Sequence, residues 1–285
     1  MDQNARPYRS VLYIPGSKLR ALEKARELAA DAIIFDLEDA VAPVEKAAAR
    51  GVLAETLKAT DYAPRARIVR VNGLDTEWGA DDIAAFAGAQ IEALLIPKVC
   101  SAADLEAVAR RIPEVPLWAM METARGMLNA AGIAAHPRLT GMVMGTNDLA
   151  KELGSRFRPD RLAMQAGLGL CLLAARAEGL TIVDGVYNAY QDDAGLRGEC
   201  VQGRDMGFDG KTLIHPAQLA VANEVFAPSE AEIDHARRQI AAYDAAQAAG
   251  QGVAVVDGKI VENLHIVTAR HILAKAEAIA ALNAI

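Results

Sequence analysis

The sequence predicts a (β/α)8 barrel, an α/β fold, followed by a helical C-terminal extension. Its 285 residues leave room for one barrel, which typically needs about 250 residues, and a tail. Short β-rich runs alternate with helical segments eight times, which favours a closed parallel barrel over an open doubly wound sheet. A hydrophobic content of 52% with only 5% aromatic residues is typical of an aliphatic core in which helices pack on strands.

Eight runs rich in aliphatic and β-branched residues predict the strands. In chain order they are Ser10–Pro15, Ala32–Leu37, Arg67–Val71, Ala93–Val99, Leu117–Met121, Gly141–Gly145, Thr181–Gly185 and Lys211–Ile214. The amphipathic or alanine-rich stretches between them predict helices. The clearest of these are Lys18–Ala29, Val44–Lys58, Ala102–Arg111, Thr123–Ala134 and Arg161–Glu178.

The last fifth of the chain has a different pattern. After Pro216 come two long helical runs, Pro228–Ala249 and His265–Asn283, separated by the glycine-rich connection Gly250–Lys259. We interpret this part as an extension of the barrel and not as a second domain. The predicted boundary lies between residues 225 and 226.

Composition and charge exclude several classes of function. A formal net charge of −7 argues against general nucleic-acid binding, which depends on a positive field. No uncharged stretch approaches the roughly 18 residues of a membrane span. The three cysteines are an odd number without metal-ligand spacing, which is typical of free thiols in a reducing compartment. We therefore expect a cytoplasmic protein that binds neither nucleic acid nor membranes.

Charged residues close the predicted strands at their carboxyl ends, where the loops of a (β/α)8 barrel converge on one face. They are Asp36, Glu38, Asp39, Arg70, Lys98, Glu122, Asp148, Asp184 and His215. A polar residue after a strand can also cap the next helix, and we favour that role for Asp184 and His215. The concentration of the others predicts an active site at this face.

Glu122 and Asp148 form a candidate metal site. The apolar run Leu117–Met121 would place Glu122 at the barrel mouth, with Thr123 free to cap the next helix, and Asp148 follows the adjacent strand. Two carboxylates completed by water and a ligand oxygen suit Mg²⁺, and Mn²⁺ can substitute because it prefers the same ligands. Zinc is disfavoured because the histidines and cysteines show no close spacing.

Arg70 ends a β-branched run, where a buried positive charge requires either a functional or a structural explanation. Its planar guanidinium can bind a carboxylate or an enolate oxygen through two hydrogen bonds, and the alternative is a structural ion pair with a neighbouring barrel carboxylate. The turn Pro15–Lys18 opens a helix, so its backbone amides and Lys18 could receive a phosphate. Such a turn alone is a weak signal.

Several segments together resemble the citrate lyase β-subunit and malyl-CoA lyase family of coenzyme A (CoA) ester lyases. In order they are Arg9–Ser17, Phe35–Pro43, Arg70–Gly73, Glu122–Gly126, Gly145–Leu149 and Gly210–Pro216. Each is moderately specific, but their joint occurrence at the ends of successive strands is a strong match. The resemblance implies a Mg²⁺-dependent enzyme acting on an acyl-CoA and a 2-oxo acid. It also implies a homo-oligomer, either a trimer or a hexamer built from trimers.

The resemblance implies roles for residues at the barrel mouth. Glu122 and Asp148 would bind Mg²⁺, and Glu122 would also contact the substrate. Arg70 would contact the acyl or 2-oxo-acid oxygen and stabilise developing negative charge. Glu38 and Asp39 are similar to the family's acidic loop, in which one carboxylate orders the metal-bound waters or the arginine.

Other implied contacts lie away from these strand ends. Lys18 and Lys24, which follow the first strand, would help to hold the CoA phosphates. In relatives an acidic residue of the C-terminal segment covers the active site, often that of a neighbouring subunit, and exchanges a proton at the enolate carbon. Val256–Glu262 resembles that segment, with Glu262 where the lyases usually have aspartate.

The leading hypothesis is a lyase that breaks or forms the C–C bond of malyl-CoA, methylmalyl-CoA or citramalyl-CoA. The longer side chain of Glu262 moves its carboxylate by more than about 1 Å, which suits positioning of water against the thioester. A (3S)-malyl-CoA thioesterase is therefore the alternative. Two further alternatives stay open: a citrate lyase β-subunit acting on an acyl-carrier-protein thioester, and a pyruvate-type aldolase. In the leading hypothesis residues 1–225 carry the metal and thioester site, and residues 226–285 complete it, in the same chain or a neighbouring subunit.

Overall fold

A computed structural model describes residues 6–283 of the chain. They form two compact units: residues 8–224, and residues 225–283 with the described residues before Tyr8. No helix within residues 6–283 is long and apolar enough to span a membrane.

The first unit is a closed barrel of eight parallel strands in sequence order, with the first strand paired to the last. The strands are β1 Ser10–Pro15, β2 Ala32–Asp36, β3 Ala66–Arg70, β4 Ala93–Ile96, β5 Leu117–Met121, β6 Leu139–Met144, β7 Thr181–Asp184 and β8 Gly210–Leu213. The helices are α1 Leu19–Ala25, α2 Lys46–Ala59, α3 Gly79–Ala85, α4 Ala102–Ala109, α5 Ala124–Leu128, α6 Ala130–Ala134, α7 Thr146–Leu153, α8 Gln165–Ala177, α9 Asp193–Met206 and α10 Leu219–Val225. The predicted fold class is confirmed, and every predicted strand overlaps an observed one.

Some helices differ from the prediction. The single helix predicted over Thr123–Ala134 is two short helices, α5 and α6, which meet at Asn129. The structure also contains α3, α7 and α9, which belong to the predicted β/α alternation although no bounds were predicted for them. Helix α3 begins at a glycine and α9 contains three glycines. Because glycine lowers the intrinsic preference for a helix, tertiary packing must stabilise the helical conformation of these two segments.

The second unit contains two long helices, α11 Glu230–Ala248 and α12 Asn263–Asn283. Between them lies an antiparallel hairpin, β9 Ala254–Val256 and β10 Lys259–Val261. The prediction that Gly250–Lys259 is only a glycine-rich connection is therefore wrong. Asp257 and Gly258 both have positive φ, 50° and 74°, which is the backbone of a tight two-residue hairpin turn.

Candidate active site

A cavity of about 280 Å³ opens at the carboxyl ends of the barrel strands. Its wall includes four of the predicted site residues, Asp39, Arg70, Glu122 and Asp148. Asp36 and Tyr13 line the same cavity. The charged strand ends therefore converge as the sequence predicted.

The alternation of side chains along a strand explains this convergence, because residues two apart point to the same side. Ile34 of β2, Ile68 of β3 and Met120 of β5 belong to one hydrophobic cluster inside the barrel. Two residues further along these strands, or just past their ends, stand the charged residues of the mouth, Asp36, Arg70 and Glu122.

Arg70 is buried among three carboxylates. Its Nε and Nη2 donate to the two oxygens of Asp36 at 2.7 and 2.6 Å. Its Nη1 lies 2.8 Å from Oε2 of Glu38 and donates to Asp39 at 3.3 Å. The structural ion pair considered from the sequence is therefore present. The contact of Arg70 with substrate stays a prediction.

Glu38 carries a buried carboxyl, and hydrogen bonds to the side chains of Lys46 and Asp36 hold the backbone of its loop. Lys46 of α2 donates to the carbonyls of Leu37 and Glu38 at 3.0 and 2.6 Å, and Asp36 accepts from the Glu38 amide at 2.9 Å. Burial raises the pKa of Glu38 to about 7, against the lowering effect of Arg70. Near neutral pH this carboxyl can therefore hold or release a proton.

Glu122 follows β5 and is 1% exposed. Its Oε1 accepts from the backbone amide of Lys98 at 2.7 Å. Lys98 has a φ of 52°, a left-handed conformation that a lysine rarely adopts and that the surrounding structure must impose. Burial, and then the charge of Glu38, raises the pKa of Glu122 to about 7. Thr123 caps α5 by accepting from Gly126, as predicted.

The residues present fit a Mg²⁺ ion. Asp148 lies in the first turn of α7 and lines the same cavity as Glu122. Within residues 6–283 no cluster of three or more histidine, cysteine, aspartate or glutamate side chains is arranged to hold a metal. Two carboxylates completed by water therefore fit this cavity better than an all-protein cage. A nearby cation would also favour the ionised form of Glu122, which burial opposes.

The two lysines predicted to bind phosphate do not line the cavity at the barrel mouth. Lys18 directly precedes α1, and its exposed Nζ lies 3.9 Å from Glu45. Lys24 lies in the last turn of α1 and is also exposed. Neither position opposes binding of a phosphate, and the role of both lysines stays a prediction.

Glu262 belongs to the second unit, where it directly precedes α12. Its backbone amide donates to Nδ1 of His265 at 3.0 Å. Its side chain is exposed. The residue is therefore available to another surface, and its catalytic role stays a prediction.

A buried ionic cluster around Asp184, the last residue of β7, was missed. Asp184 accepts two hydrogen bonds of 2.7 Å from Nη1 of Arg161 and lies 3.3 Å from Nζ of Lys211, which also contacts Glu199 at 2.6 Å. The expected helix-capping role of Asp184 is therefore wrong, because its side chain is occupied by cations and α9 begins nine residues later. The capping role of His215 is confirmed, since its side chain accepts from the Ala217 amide at 3.2 Å and so caps the short 3-10 helix Pro216–Gln218 that precedes α10. The lysine at the start of the predicted strand Lys211–Ile214 was the available signal for the cluster.

Fold and site together define a class of protein: a (β/α)8 enzyme whose mouth collects carboxylates suited to a divalent cation. The HpcH/HpaI aldolase/citrate lyase family model matches residues 9–216. The chain belongs to this family and is an enzyme of the CoA ester lyase superfamily.

Three similar proteins give this membership detail. A (3S)-malyl-CoA thioesterase of Cereibacter sphaeroides is 77% identical, over the full length of both chains. An L-malyl-CoA/beta-methylmalyl-CoA lyase of the same species is 36% identical, over 97% of each chain. Protein CitE from Mycobacterium tuberculosis, solved in complex with magnesium, acetoacetate and coenzyme A, has a TM-score of 0.82. It is 32% identical over 96% of this chain and 99% of that one.

Proposed function

We propose that this protein is a Mg²⁺-dependent thioesterase that hydrolyses (3S)-malyl-CoA to malate and CoA. The observation that carries the proposal is the 77% identity, over full length, to a protein named (3S)-malyl-CoA thioesterase. The C–C lyase that led the sequence-based hypotheses is the second candidate, supported by the 36% identical malyl-CoA lyase. The two reactions act on the same class of thioester.

The site is compatible with hydrolysis. Water must lose a proton as its oxygen bonds to the thioester carbonyl carbon, and a carboxylate within hydrogen-bond reach can accept that proton. Glu38, with a pKa of about 7, can exchange a proton near neutral pH. Glu262 is the other candidate base, and its exposure leaves it free to reach the cavity of a neighbouring subunit. In this proposal residues 226–285 complete the site formed by residues 1–225.

The metal and the rest of the ligand follow from the same proposal. Glu122 and Asp148 would hold Mg²⁺, or Mn²⁺ in its place. When bound, the ion supplies Lewis-acid polarisation of ligand oxygens. Arg70 and Glu122 would bind the acyl group, and Lys18 and Lys24 would bind the CoA phosphates.

Product analysis tests the proposal. Purified protein with Mg²⁺ and (3S)-malyl-CoA should form free malate and CoA thiol in equal amounts, without glyoxylate. Glyoxylate with acetyl-CoA would instead establish the lyase. Methylmalyl-CoA and citramalyl-CoA in the same assay define the acyl chain that is accepted.

The same assay addresses the remaining alternatives. Turnover of a CoA thioester by the purified chain would argue against an obligate citrate lyase subunit that needs an acyl-carrier-protein thioester. Cleavage of a free hydroxy-oxo acid without CoA would indicate an aldolase.

A further inference from the structure

Tyr13 of β1 occupies the floor of the candidate active site. It packs against the hydrophobic cluster inside the barrel and lines the same cavity as Arg70 and Glu122. The Arg70 guanidinium lies over its ring, 4.9 Å from the ring centre. This cation–π contact and the core packing fix the direction of the phenol.

The hydroxyl of Tyr13 has a weak acceptor. Among residues 6–283 the hydroxyl donates a hydrogen bond to the thioether sulfur of Met120 at 3.4 Å. A thioether accepts hydrogen bonds poorly, and a buried hydroxyl gains free energy when a carbonyl oxygen replaces it. Burial also raises the pKa of Tyr13 well above its usual value, so the group stays a proton donor.

The guanidinium of Arg70, a cationic donor in the cavity wall, is already bound to carboxylates. Arg70 directs its guanidinium at Asp36, Glu38 and Asp39. Three carboxylates weaken the field that this cation can offer to another anion. A neutral phenol beside it suffers no such competition from the carboxylates.

We propose that the Tyr13 hydroxyl donates a hydrogen bond to the thioester carbonyl oxygen of the acyl-CoA substrate and stabilises the negative charge that develops on that oxygen. The inference rests on the proposed function only in taking an acyl-CoA thioester as substrate. In hydrolysis, water oxygen bonds to the carbonyl carbon as a base takes a proton, and the carbonyl electron pair moves to oxygen. Return of that pair breaks the C–S bond, and the CoA thiolate takes up a proton.

The same oxygen becomes negative in C–C cleavage. There a base takes the proton of the substrate hydroxyl, which becomes the carbonyl of the 2-oxo acid, the electron pair of the broken C–C bond forms the enolate, and the enolate carbon then takes up a proton. A donor aimed at that oxygen acts more strongly in the transition state than on bound substrate. Tyr13 should therefore affect kcat more than KM in either reaction.

The test is Tyr13→Phe in the full-length protein with Mg²⁺ and (3S)-malyl-CoA. Loss of one oxyanion donor should lower kcat about 100-fold while KM changes less than about threefold. Tyr62→Phe is the matched control, because the buried Tyr62 hydroxyl donates to the Leu22 carbonyl at 3.1 Å and Tyr62 does not line the cavity at the barrel mouth. The control should keep the kcat of the unsubstituted protein.

Two measurements separate this role from a structural one. The affinity of Tyr13→Phe for Mg²⁺ and for acetyl-CoA, both by calorimetry, should match that of the unsubstituted protein. An unchanged kcat, a rise in KM alone, or a parallel loss of Mg²⁺ affinity would each overturn the role of Tyr13. The product made by the unsubstituted protein decides the proposed function separately, because Tyr13→Phe is expected to slow hydrolysis and cleavage alike.

Discussion

The buried carboxyl of Glu122 links the proposed metal site to the stability of the fold. Its pKa in the folded chain, about 7, lies above the ordinary value of 4.5. Its stabilising contribution is therefore fully present below about pH 4.5 and is lost as pH rises through about 7. Above that pH the buried Glu122 carboxylate is charged and lies near the carboxyl of Glu38, which destabilises the metal-free protein.

Glu122→Gln should therefore stabilise the metal-free protein at alkaline pH. Glutamine keeps an oxygen that can accept from the Lys98 amide and carries no charge. With chelator at pH 8, the free energy of unfolding should rise by on the order of 1–3 kcal/mol, and the gain should fall below about 1 kcal/mol at pH 5. Denaturant unfolding at both pH values measures this.

Magnesium should reverse that order. It should stabilise the unsubstituted protein, whose Glu122 can bind it, and have little effect on Glu122→Gln. Equal stabilisation of both proteins by Mg²⁺ would remove Glu122 from the metal site.

Arg70 is the second test at the scale of the residue. Lysine keeps the positive charge but cannot make two parallel bonds to Asp36 while reaching Glu38 and Asp39. Arg70→Lys should lower kcat/KM about 100-fold or more. Arg110→Lys, in an exposed ion pair with Glu106, is the control and should behave like the unsubstituted protein. Unchanged kcat/KM in Arg70→Lys would show that a simple positive charge is sufficient there.

The ends of strands β5 and β6 approach each other closely beside the proposed metal site. A Cβ on Gly145, directly after β6, would lie 2.5 Å from Oε2 of Glu122. The φ of Gly145 is −98°, so alanine could adopt its backbone conformation and the conflict is purely steric.

Gly145→Ala should therefore displace the Glu122 carboxylate and weaken Mg²⁺ binding at least about tenfold, since metal sites tolerate little change in ligand position. Gly132→Ala on α6 is a matched control, because its Cβ would meet nothing within 4 Å. Calorimetric titration of both variants with Mg²⁺ measures the difference. Equal affinities would mean that Glu122 moves aside without loss, or that it does not bind the ion.

The elements also show what the sequence could predict. The barrel strands were found because β-branched and aliphatic runs such as Ala32–Asp36 are buried along their whole length. The hairpin was missed because Gly250 and Gly252 resemble a linker. The dipeptide Asp257–Gly258 carried the local signal for its turn, and ion pairs from Arg238 hold Asp257 in place.

Within the site, strand-end residues were predictable and their partners were not. Glu122 and Asp148 could be placed because the barrel fold dictates where strand ends meet. The contact between Lys46 and the Leu37 and Glu38 carbonyls depends on how α2 packs over the β2 loop. The left-handed backbone at Lys98 is likewise imposed by tertiary structure, so neither feature has a local pattern.

At the scale of the whole molecule, the prediction concerns which chain supplies Glu262 to each active site. In the proposed function Glu262, on the second unit, can reach the active site of a neighbouring subunit, and the family resemblance predicts a trimer or a hexamer. Glu262→Gln and Glu122→Gln should each be nearly inactive alone, because each removes a different part of the same composite site.

Mixing these two inactive variants tests the composite site directly. After they are unfolded and refolded together, some sites combine the intact Glu122 of one chain with the intact Glu262 of another. In a symmetric oligomer assembled at random from equal amounts, about a quarter of the sites should be complete, so about a quarter of the activity should return. Glu122→Gln mixed with Asp148→Asn is the control and should stay inactive, because both substitutions damage the barrel half of each site. Sedimentation must show the same oligomer in both mixtures. If the first mixture recovers no more activity than the second, Glu262 acts within its own chain or does not act at all.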